Sequence, residues 1–223
     1  MEDRICEKCG GDGWIGYTGT DGLWYARPCD CMKRKRSMDN IERSGLINPK
    51  IFTLDRFITD EPWQQRLMDS AEKYLADPAP SWFFVGGQPG SGKTHLCTGI
   101  CLEMINTGYR VRYEVWPRLK HRMKRARNFE NEYERQMGDL REVQVLYLDD
   151  LFKGRYTEAD RQLAWEIINT RYAADRVTII SSEHHLSEIV EMDEAVGGRI
   201  YQMSAGYRNN VQFDEGRDFR RRA

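Results

Sequence analysis

Two spacings of apolar residues alternate along the central part of the chain and predict alternating strands and helices. Short apolar runs, as at residues 81–85 and 143–148, are typical of buried strands. Longer segments that repeat apolar residues every three or four positions predict helices with one buried face. The predicted strands are 81–85, 110–115, 143–148, 177–181 and 211–213, and the predicted helices are 62–76, 94–106, 117–137 and 157–173, with two short helices before the last strand.

This alternation predicts an α/β fold in which helices cover both faces of a parallel sheet. The predicted fold occupies residues 61–223. Residues 1–36 are rich in Gly, Cys and aromatic residues and lack a long periodic segment, so we expect a small separate module. Residues 37–60 are predicted to connect the two parts through a short helix and an extended piece.

Composition narrows the class of protein further. Hydrophobic residues make up 40% and charged residues 31% of the 223 residues, which suits one sizeable core with a solvated surface. Lys and Arg number 34 against 35 Asp and Glu, so net charge selects no class of partner. We find no secretory signal and no apolar run of membrane-spanning length, and we therefore expect a cytoplasmic protein without a membrane contact. In a reducing compartment, the six cysteines are expected to be thiols or metal ligands.

Residues 87–94 match the phosphate-binding pattern G-x-x-x-x-G-K-[ST] at every fixed position, between a predicted strand and a predicted helix. Glycines let successive N–H groups turn toward one point, and the helix N-terminus adds partial positive charge. We expect Lys93 to reach the β- and γ-phosphates of ATP and Thr94 to ligate Mg²⁺. The alternative is a Gly-rich turn that holds Lys-Thr by chance. The predicted nucleotide-binding residues are Gly87, Gln88, Pro89, Gly90, Ser91, Gly92, Lys93, Thr94 and His95.

Two further strand ends are expected beside this loop. Asp149 and Asp150 follow an apolar strand; we assign Asp149 to Mg²⁺ and Asp150 to polarising the attacking water. An ordinary Asp turn is the alternative. Ser182 is our candidate γ-phosphate sensor at the end of strand 177–181, with Ser181 and Glu183 left open. A plain strand end that caps the next helix is the alternative there.

These segments together resemble the AAA+ ATPases, and within them the DnaC/DnaI-type replicative helicase loaders and their IstB-type transposition relatives. The similarity spans roughly residues 45–215 and rests on four motifs, at residues 87–95, 147–152, 179–183 and 197–200. It implies that Arg199 is an arginine finger that completes the ATP site of a neighbouring subunit, within a ring or spiral. An arginine on the helix surface that pairs with Glu194 or another neighbour is the alternative. The family often has Asn where Glu183 falls, and only 24 residues follow Arg199, which is too few for a helical lid. A loader without that lid is expected to be a weak ATPase on its own.

A cationic stripe between residues 110 and 127 is a candidate contact for single-stranded DNA. Charges there could follow phosphates, while the nearby Tyr113 and Trp116 could stack on bases. The alternative is a charged helix with internal ion pairs, because residues 130–134 are acidic. The candidate DNA-binding residues are Arg118, Lys120, Arg122, Lys124 and Arg125.

Four N-terminal cysteines predict a structural zinc site. Cys6-x₂-Cys9 and Cys29-x-Cys31 supply four thiolates, which suit tetrahedral Zn²⁺. The first pair also resembles one knuckle of DnaJ-type zinc modules. Four free cysteines are the alternative, but so small a segment could hardly fold without a metal. We interpret Cys97 and Cys101 as core residues.

The leading hypothesis is therefore an ATP-dependent loader of a replicative hexameric helicase, with the zinc module as its adaptor. A helper ATPase of a transposase is the alternative within the same fold. An ATP-gated single-stranded DNA-binding module with negligible turnover is the alternative from another class. A P-loop kinase is disfavoured, because the sequence shows no pattern typical of a pocket for a phosphoryl acceptor.

Overall fold

The computed structural model describes residues 6–78, 80–213 and 218; the side chains of residues 33 and 34 are outside this description. The N-terminal part holds an antiparallel hairpin of β1 (Trp14–Thr18) and β2 (Trp24–Pro28), followed by α1 (Asp30–Ser44). Helix α1 ends at Gly45, whose positive φ of 75° is the left-handed conformation that glycine favours. Sequence analysis missed the start of this helix, which crosses the boundary predicted between residues 36 and 37.

A five-stranded parallel sheet forms the centre of the larger part, which confirms the predicted fold class. The order across the sheet is β4-β5-β6-β3-β7. The last strand begins three residues before its predicted position. The strands are β3 (Phe83–Gly87), β4 (Val111–Val115), β5 (Val145–Asp149), β6 (Val177–Ser181) and β7 (Arg208–Val211).

Helices cover both faces of this sheet, and the alternation of side chains along β5 shows why. Val145 and Tyr147 join the core beneath α2 (Pro62–Ala76) and α3 (Lys93–Asn106). Leu146 and Leu148 point to the opposite core, which is covered by the other helices. Those helices are α4 (Trp116–Ala126), α5 (Glu130–Glu142), α6 (Glu158–Ala173), α7 (Leu186–Met192) and α8 (Glu194–Met203).

The long helical region predicted over 117–137 is helical but divides into two helices, because the chain turns between α4 and α5. The backbone N–H of Phe129 donates to the carbonyl of Ala126 at 2.8 Å, which closes this turn. Glu130 and Glu132 then lie in the first turn of α5, where carboxylates favour a helix N-terminus. In the part of the chain that the structure describes, no helix combines the length and the apolar character needed to cross a bilayer.

Candidate functional site

The phosphate loop lies between the end of β3 and the start of α3, at the carboxyl edge of the sheet. Gly87, Gly90 and Gly92 have φ values of 109°, 77° and 85°, a region that L side chains rarely adopt. Ser91 is buried, and its hydroxyl donates to the carbonyl of Gln88 at 2.8 Å, which ties the loop across its own turn. This geometry directs the first N–H groups of α3 toward the cleft, where they suit an anion.

The buried ammonium of Lys93 contacts the backbone of the phosphate loop. Its Nζ donates to the carbonyls of Gly87 and Gln88 at 2.8 and 2.6 Å. Burial lowers the pKa of Lys93 to about 8, while the nearby carboxylates of Asp150 and Glu183 act in the opposite direction. A phosphate in the loop would supply the negative charge that this ammonium lacks.

Asp149 ends β5 and meets the phosphate loop across the cleft. The Thr94 hydroxyl donates to its Oδ1 at 3.2 Å, so the two expected Mg²⁺ ligands lie side by side. The hydroxyls of Tyr113, Tyr147 and Ser181 also donate to this carboxylate, the first two at 2.8 and 2.9 Å. Hydroxyl donors on three strands thus fix the buried carboxylate of Asp149 beside the Thr94 hydroxyl. The oxygens of these two side chains together suit Mg²⁺.

The turn after Asp149 is held in an uncommon backbone conformation. Asp150 has a φ of 58°, and its N–H donates to the Ser181 hydroxyl at 3.1 Å. Ser182 donates its hydroxyl to the carbonyl of Leu151 at 2.7 Å and accepts from the N–H of His184 at 3.1 Å. Both serines therefore bind the acidic turn and the strand end, and Ser182, our candidate sensor, is buried away from the cleft.

Glu183 is the residue of this strand end that faces the cleft with Lys93, Thr94 and Asp150. Lys153 bridges the two acids, with its Nζ 2.7 Å from Glu183 and 3.0 Å from Asp150. Burial raises the pKa of Asp150, and the Lys153 ammonium opposes that rise. Of Ser181, Ser182 and Glu183, Glu183 is the one that lines this cleft, and the choice of a phosphate sensor among them stays a prediction.

The segment before α2 contributes a wall of the same cleft, which sequence analysis missed. His95 connects it to α3: its Nε2 lies 2.8 Å from the carbonyl of Thr53, and its ring stacks on Phe52 at 5.1 Å. An aromatic wall beside a phosphate loop suits a purine base. The signal that could have found it is the cluster of aromatic residues in the predicted connector. The cleft residues of this segment are Phe52, Arg56, Phe57 and Ile58.

Arg199 lies on α8 and does not line the cleft of its own chain. Its guanidinium covers the ring of Tyr172 at 5.5 Å, and its Nη1 donates to the carbonyl of Ala195 at 2.7 Å. The finger assignment therefore stays a prediction that requires a neighbouring subunit.

The cationic stripe divides into paired and exposed residues. Lys120 contacts the carbonyl of Arg155 at 2.8 Å and Asp160 at 3.3 Å, and Arg122 pairs with Glu114 at 2.7 Å. These two residues match the alternative of a charged helix with internal ion pairs. The exposed candidate residues are Arg118, Lys124 and Arg125, and Arg110 and Arg127 at the two ends of the stripe are exposed as well.

The two rings expected to stack on bases beside this stripe are not available. Trp116 is fully buried, and Tyr113 is 8% exposed with its hydroxyl on Asp149. The aromatic half of the expectation is therefore wrong, because both rings serve the core.

The four N-terminal cysteines converge, with their Sγ atoms all within 4.8 Å of one another. The Cys6–Cys29 and Cys9–Cys31 sulfur atoms are 3.8 and 3.5 Å apart. Tetrahedral Zn²⁺ with Zn–S distances of about 2.3 Å requires about 3.8 Å between sulfurs. This cluster is consistent with zinc, whereas Cys97 and Cys101 are buried in the core as predicted.

The model of the family described as IstB-like ATP binding protein matches residues 76–196, more than half of the chain. The chain belongs to this family. The uncharacterized protein YqaM of Bacillus subtilis (strain 168) is 32% identical over 197 residues, which cover 82% of this chain and 62% of YqaM. The replicative helicase loader DnaC of Escherichia coli (strain K12) is 26% identical over 140 residues, 61% of this chain and 56% of DnaC. The chain thus spans less than two thirds of either relative.

Solved structures show the same fold. The DnaC helicase loader superposes with a TM-score of 0.62 at 20% identity and covers 73% of this chain and 96% of that chain. DnaA from Aquifex aeolicus bound to AMPPCP gives a TM-score of 0.63 at 23% identity, over 75% of this chain and 51% of that chain. This member of the IstB-like family is therefore an ATP-binding AAA+ protein related to DnaC and DnaA.

Proposed function

We propose that this IstB-like protein hydrolyses ATP at a subunit interface in order to load a replicative hexameric helicase. The observation that carries the catalytic part is the contact between Thr94 and Asp149, beside Asp150 and the phosphate loop. That arrangement supplies a phosphate cradle, a pair of oxygen ligands and a second carboxylate within one cleft, which are the parts that phosphoryl transfer needs.

Each residue then has a defined task. Lys93 would exchange its bonds to loop carbonyls for the β- and γ-phosphates. Thr94 and Asp149 would hold Mg²⁺, which neutralises charge on the phosphates when it is bound. Asp150 would orient the attacking water, with its position set by Ser181 and Lys153. Arg199 of an adjacent subunit would stabilise charge on the γ-phosphate.

Three observations support the loader role: the sequence similarity to DnaC, the fold shared with it, and the N-terminal four-cysteine cluster. DnaC, a helicase loader by name, is related to this chain in sequence, and its structure has the same fold. The four-cysteine cluster lies outside the ATP cleft and, as a closed structural site, would serve docking rather than chemistry. We therefore assign the N-terminal part, residues 1–36, to gripping the helicase.

Substitution of Lys93 by Ala is expected to weaken ATP binding on the order of 100- to 1,000-fold. In the variant, the phosphates bind in a buried loop without an ammonium partner. Removing one partner of a buried charge pair costs about 2–5 kcal/mol of binding free energy. Binding of a fluorescent ATP analogue measures the effect, with Lys124→Ala as the control because Lys124 is exposed on α4. Tight ATP binding by Lys93→Ala would remove the site assignment.

The pH dependence of ATP binding gives a second readout of the same variant. Phosphate binds the protonated amine, whereas the free protein loses that proton above pH 8, since the pKa of Lys93 is about 8. Affinity should therefore fall by roughly tenfold per pH unit above pH 8 in the unsubstituted protein. Lys93→Ala should lose this slope.

Co-elution with purified partners tests the loader role against its main alternative. The 223-residue chain with a non-hydrolysable ATP analogue is expected to migrate with a hexameric replicative helicase during gel filtration, and not with a transposase. The reverse pattern would identify a transposition helper, which the IstB-like family name makes the second candidate. Binding to DNA alone, without turnover, would favour an ATP-gated DNA-binding module.

A further inference from the structure

Glu183 is an acid that lines the cleft proposed to hold phosphates, together with Lys93, Thr94 and Asp150. Because a carboxylate repels phosphate, a direct contact between the two would weaken ATP binding. The Glu183 carboxylate has a cationic partner instead, since its Oε1 lies 2.7 Å from Nζ of Lys153. Lys153 is not among the residues that line the cleft, so Glu183 joins the cleft to a cation outside it.

Lys153 connects Glu183 to Asp150 through one ammonium group. Its Nζ also donates to Oδ2 of Asp150 at 3.0 Å, and an ammonium has three donors, so it holds both acids at once. In the part of the chain that the structure describes, neither acid forms an ion pair with another cation. The bond to Oδ2 leaves Oδ1 of Asp150 to accept from a water molecule. We call these three side chains the lysine bridge (Asp150, Lys153 and Glu183).

The backbone of the turn after β5 brings Lys153 back toward Asp150. Asp150 and Phe152 have φ values of 58° and 64°, in the left-handed region that residues other than glycine seldom adopt. Such a value is a clear outlier for a side chain as bulky as that of Phe152. The N–H of Lys153 donates to the carbonyl of Asp150 at 3.0 Å and closes the turn. The lysine bridge is thus built on a strained turn of four residues.

Packing of Phe152 keeps this turn in its strained form. The ring is 1% exposed and meets Trp116 and Tyr156 edge-on, at centroid distances of 5.6 and 4.8 Å. The N–H of Leu151 donates to the carbonyl of Ser181 at 2.9 Å, which ties the turn to β6. Backbone strain persists only where the surrounding structure imposes it, and it concentrates at functional sites. The position of Lys153 between the two acids is therefore set by the core, which points to a role in the chemistry of the cleft.

We propose that Glu183 is a positioning residue that acts through Lys153: it anchors the ammonium, which in turn directs the Asp150 carboxylate toward the attacking water. The proposal rests on the task that the proposed function gives to Asp150 and adds how that carboxylate is held. Ser181 contacts the backbone N–H of Asp150, whereas Lys153 contacts its carboxylate. Since misplacing a group by about 1 Å slows a reaction by about 100-fold, the bridge should govern the rate of hydrolysis more than the affinity for ATP.

The test measures single-turnover hydrolysis of ATP with the 223-residue protein in excess, which gives the maximal rate and the half-saturating protein concentration separately. Lys153→Met combined with Glu183→Gln removes one positive and one negative charge. This double variant should lower the maximal rate about 10- to 100-fold, with the half-saturating concentration changed by less than about threefold. Lys153→Arg should recover part of the rate, because a guanidinium also contacts two carboxylates. Lys73→Met is the matched control, since Lys73 is exposed on α2, and all variants should keep its melting temperature.

The single variants show whether Glu183 acts through Lys153. Glu183→Gln alone should lower the maximal rate, and adding it to Lys153→Met should cause no further loss, as expected for residues that act as one unit. Losses that multiply would overturn the proposal, and so would a full rate in the double variant. Asp150→Asn separates the two proposals. If Asp150→Asn is slow and the double variant is not, the lysine bridge alone fails; a full rate in Asp150→Asn removes the task of Asp150 and both proposals with it.

Discussion

Cys9→Ser is expected to abolish stoichiometric zinc binding and to unfold the β1–β2 hairpin, while ATP binding continues. The hairpin residues are nearly all exposed, so the N-terminal part has little core to replace the metal. The Sγ of Cys9 lies 3.5 Å from that of Cys31 and also accepts from the N–H of Gly13 at 3.3 Å. Removing this ligand opens the tetrahedron, and structural zinc contributes about 10–16 kcal/mol of apparent binding free energy in small domains.

Metal analysis and limited proteolysis measure this effect, with Cys101→Ala as the matched control. Cys101 is fully buried on α3, so its loss should lower the melting temperature of the α/β core and leave one zinc per chain. Cys9→Ser should lose the zinc and leave the melting temperature of the α/β core unchanged, and protease should cut within the N-terminal part alone. A hairpin that resists protease in metal-free Cys9→Ser protein would refute the zinc assignment.

Features carried by contiguous residues could be predicted from the sequence. The phosphate loop is one such feature, because its glycines, Lys93 and Thr94 act through backbone geometry that a short segment specifies by itself. The acids at the end of β5 are another, since an apolar strand must end at the edge of the sheet where Asp149 meets Thr94. The four-cysteine cluster follows equally from ligand chemistry and spacing.

Features that depend on distant partners could not be predicted. Ser182 has the residue type of a phosphate sensor, yet its hydroxyl is used by Leu151 and His184. The aromatic wall contributed by Phe52 and Phe57 requires the chain before α2 to fold back onto His95. Periodicity carries no information about either contact.

The charge of the cationic stripe likewise depends on residues that are distant in sequence. Eight cations against one acid within residues 110–127 suggested a surface for DNA, but acids far along the chain neutralise part of it. Asp160 on α6 forms an ion pair with Lys120, and Asp139 on α5 forms one with Arg112 at 3.0 Å. Local composition measures charge, whereas the fold decides which charges remain for a partner.

Arg199→Ala is expected to leave ATP binding unchanged and to lower partner-stimulated hydrolysis by about 10³- to 10⁵-fold, the range by which arginine fingers accelerate phosphoryl transfer. Within one chain Arg199 rests on Tyr172 and the carbonyl of Ala195, away from its own cleft. A contribution from this guanidinium therefore requires another subunit. Arg161→Ala is the control, because Arg161 is exposed on α6 and pairs with Glu158 at 2.9 Å. Phosphate release in the presence of helicase and single-stranded DNA measures both variants.

Mixing two inactive variants decides whether the finger acts between subunits. Arg199→Ala retains an intact phosphate loop, and Lys93→Ala retains an intact finger, so an interface that joins them contains one complete site. If Arg199 acts on its neighbour, the mixture should recover a fraction of the turnover that each variant lacks alone. If it acts within its own chain, every subunit in the mixture stays defective and turnover does not return. Recovery would also mean that efficient hydrolysis belongs to an assembly rather than to one chain.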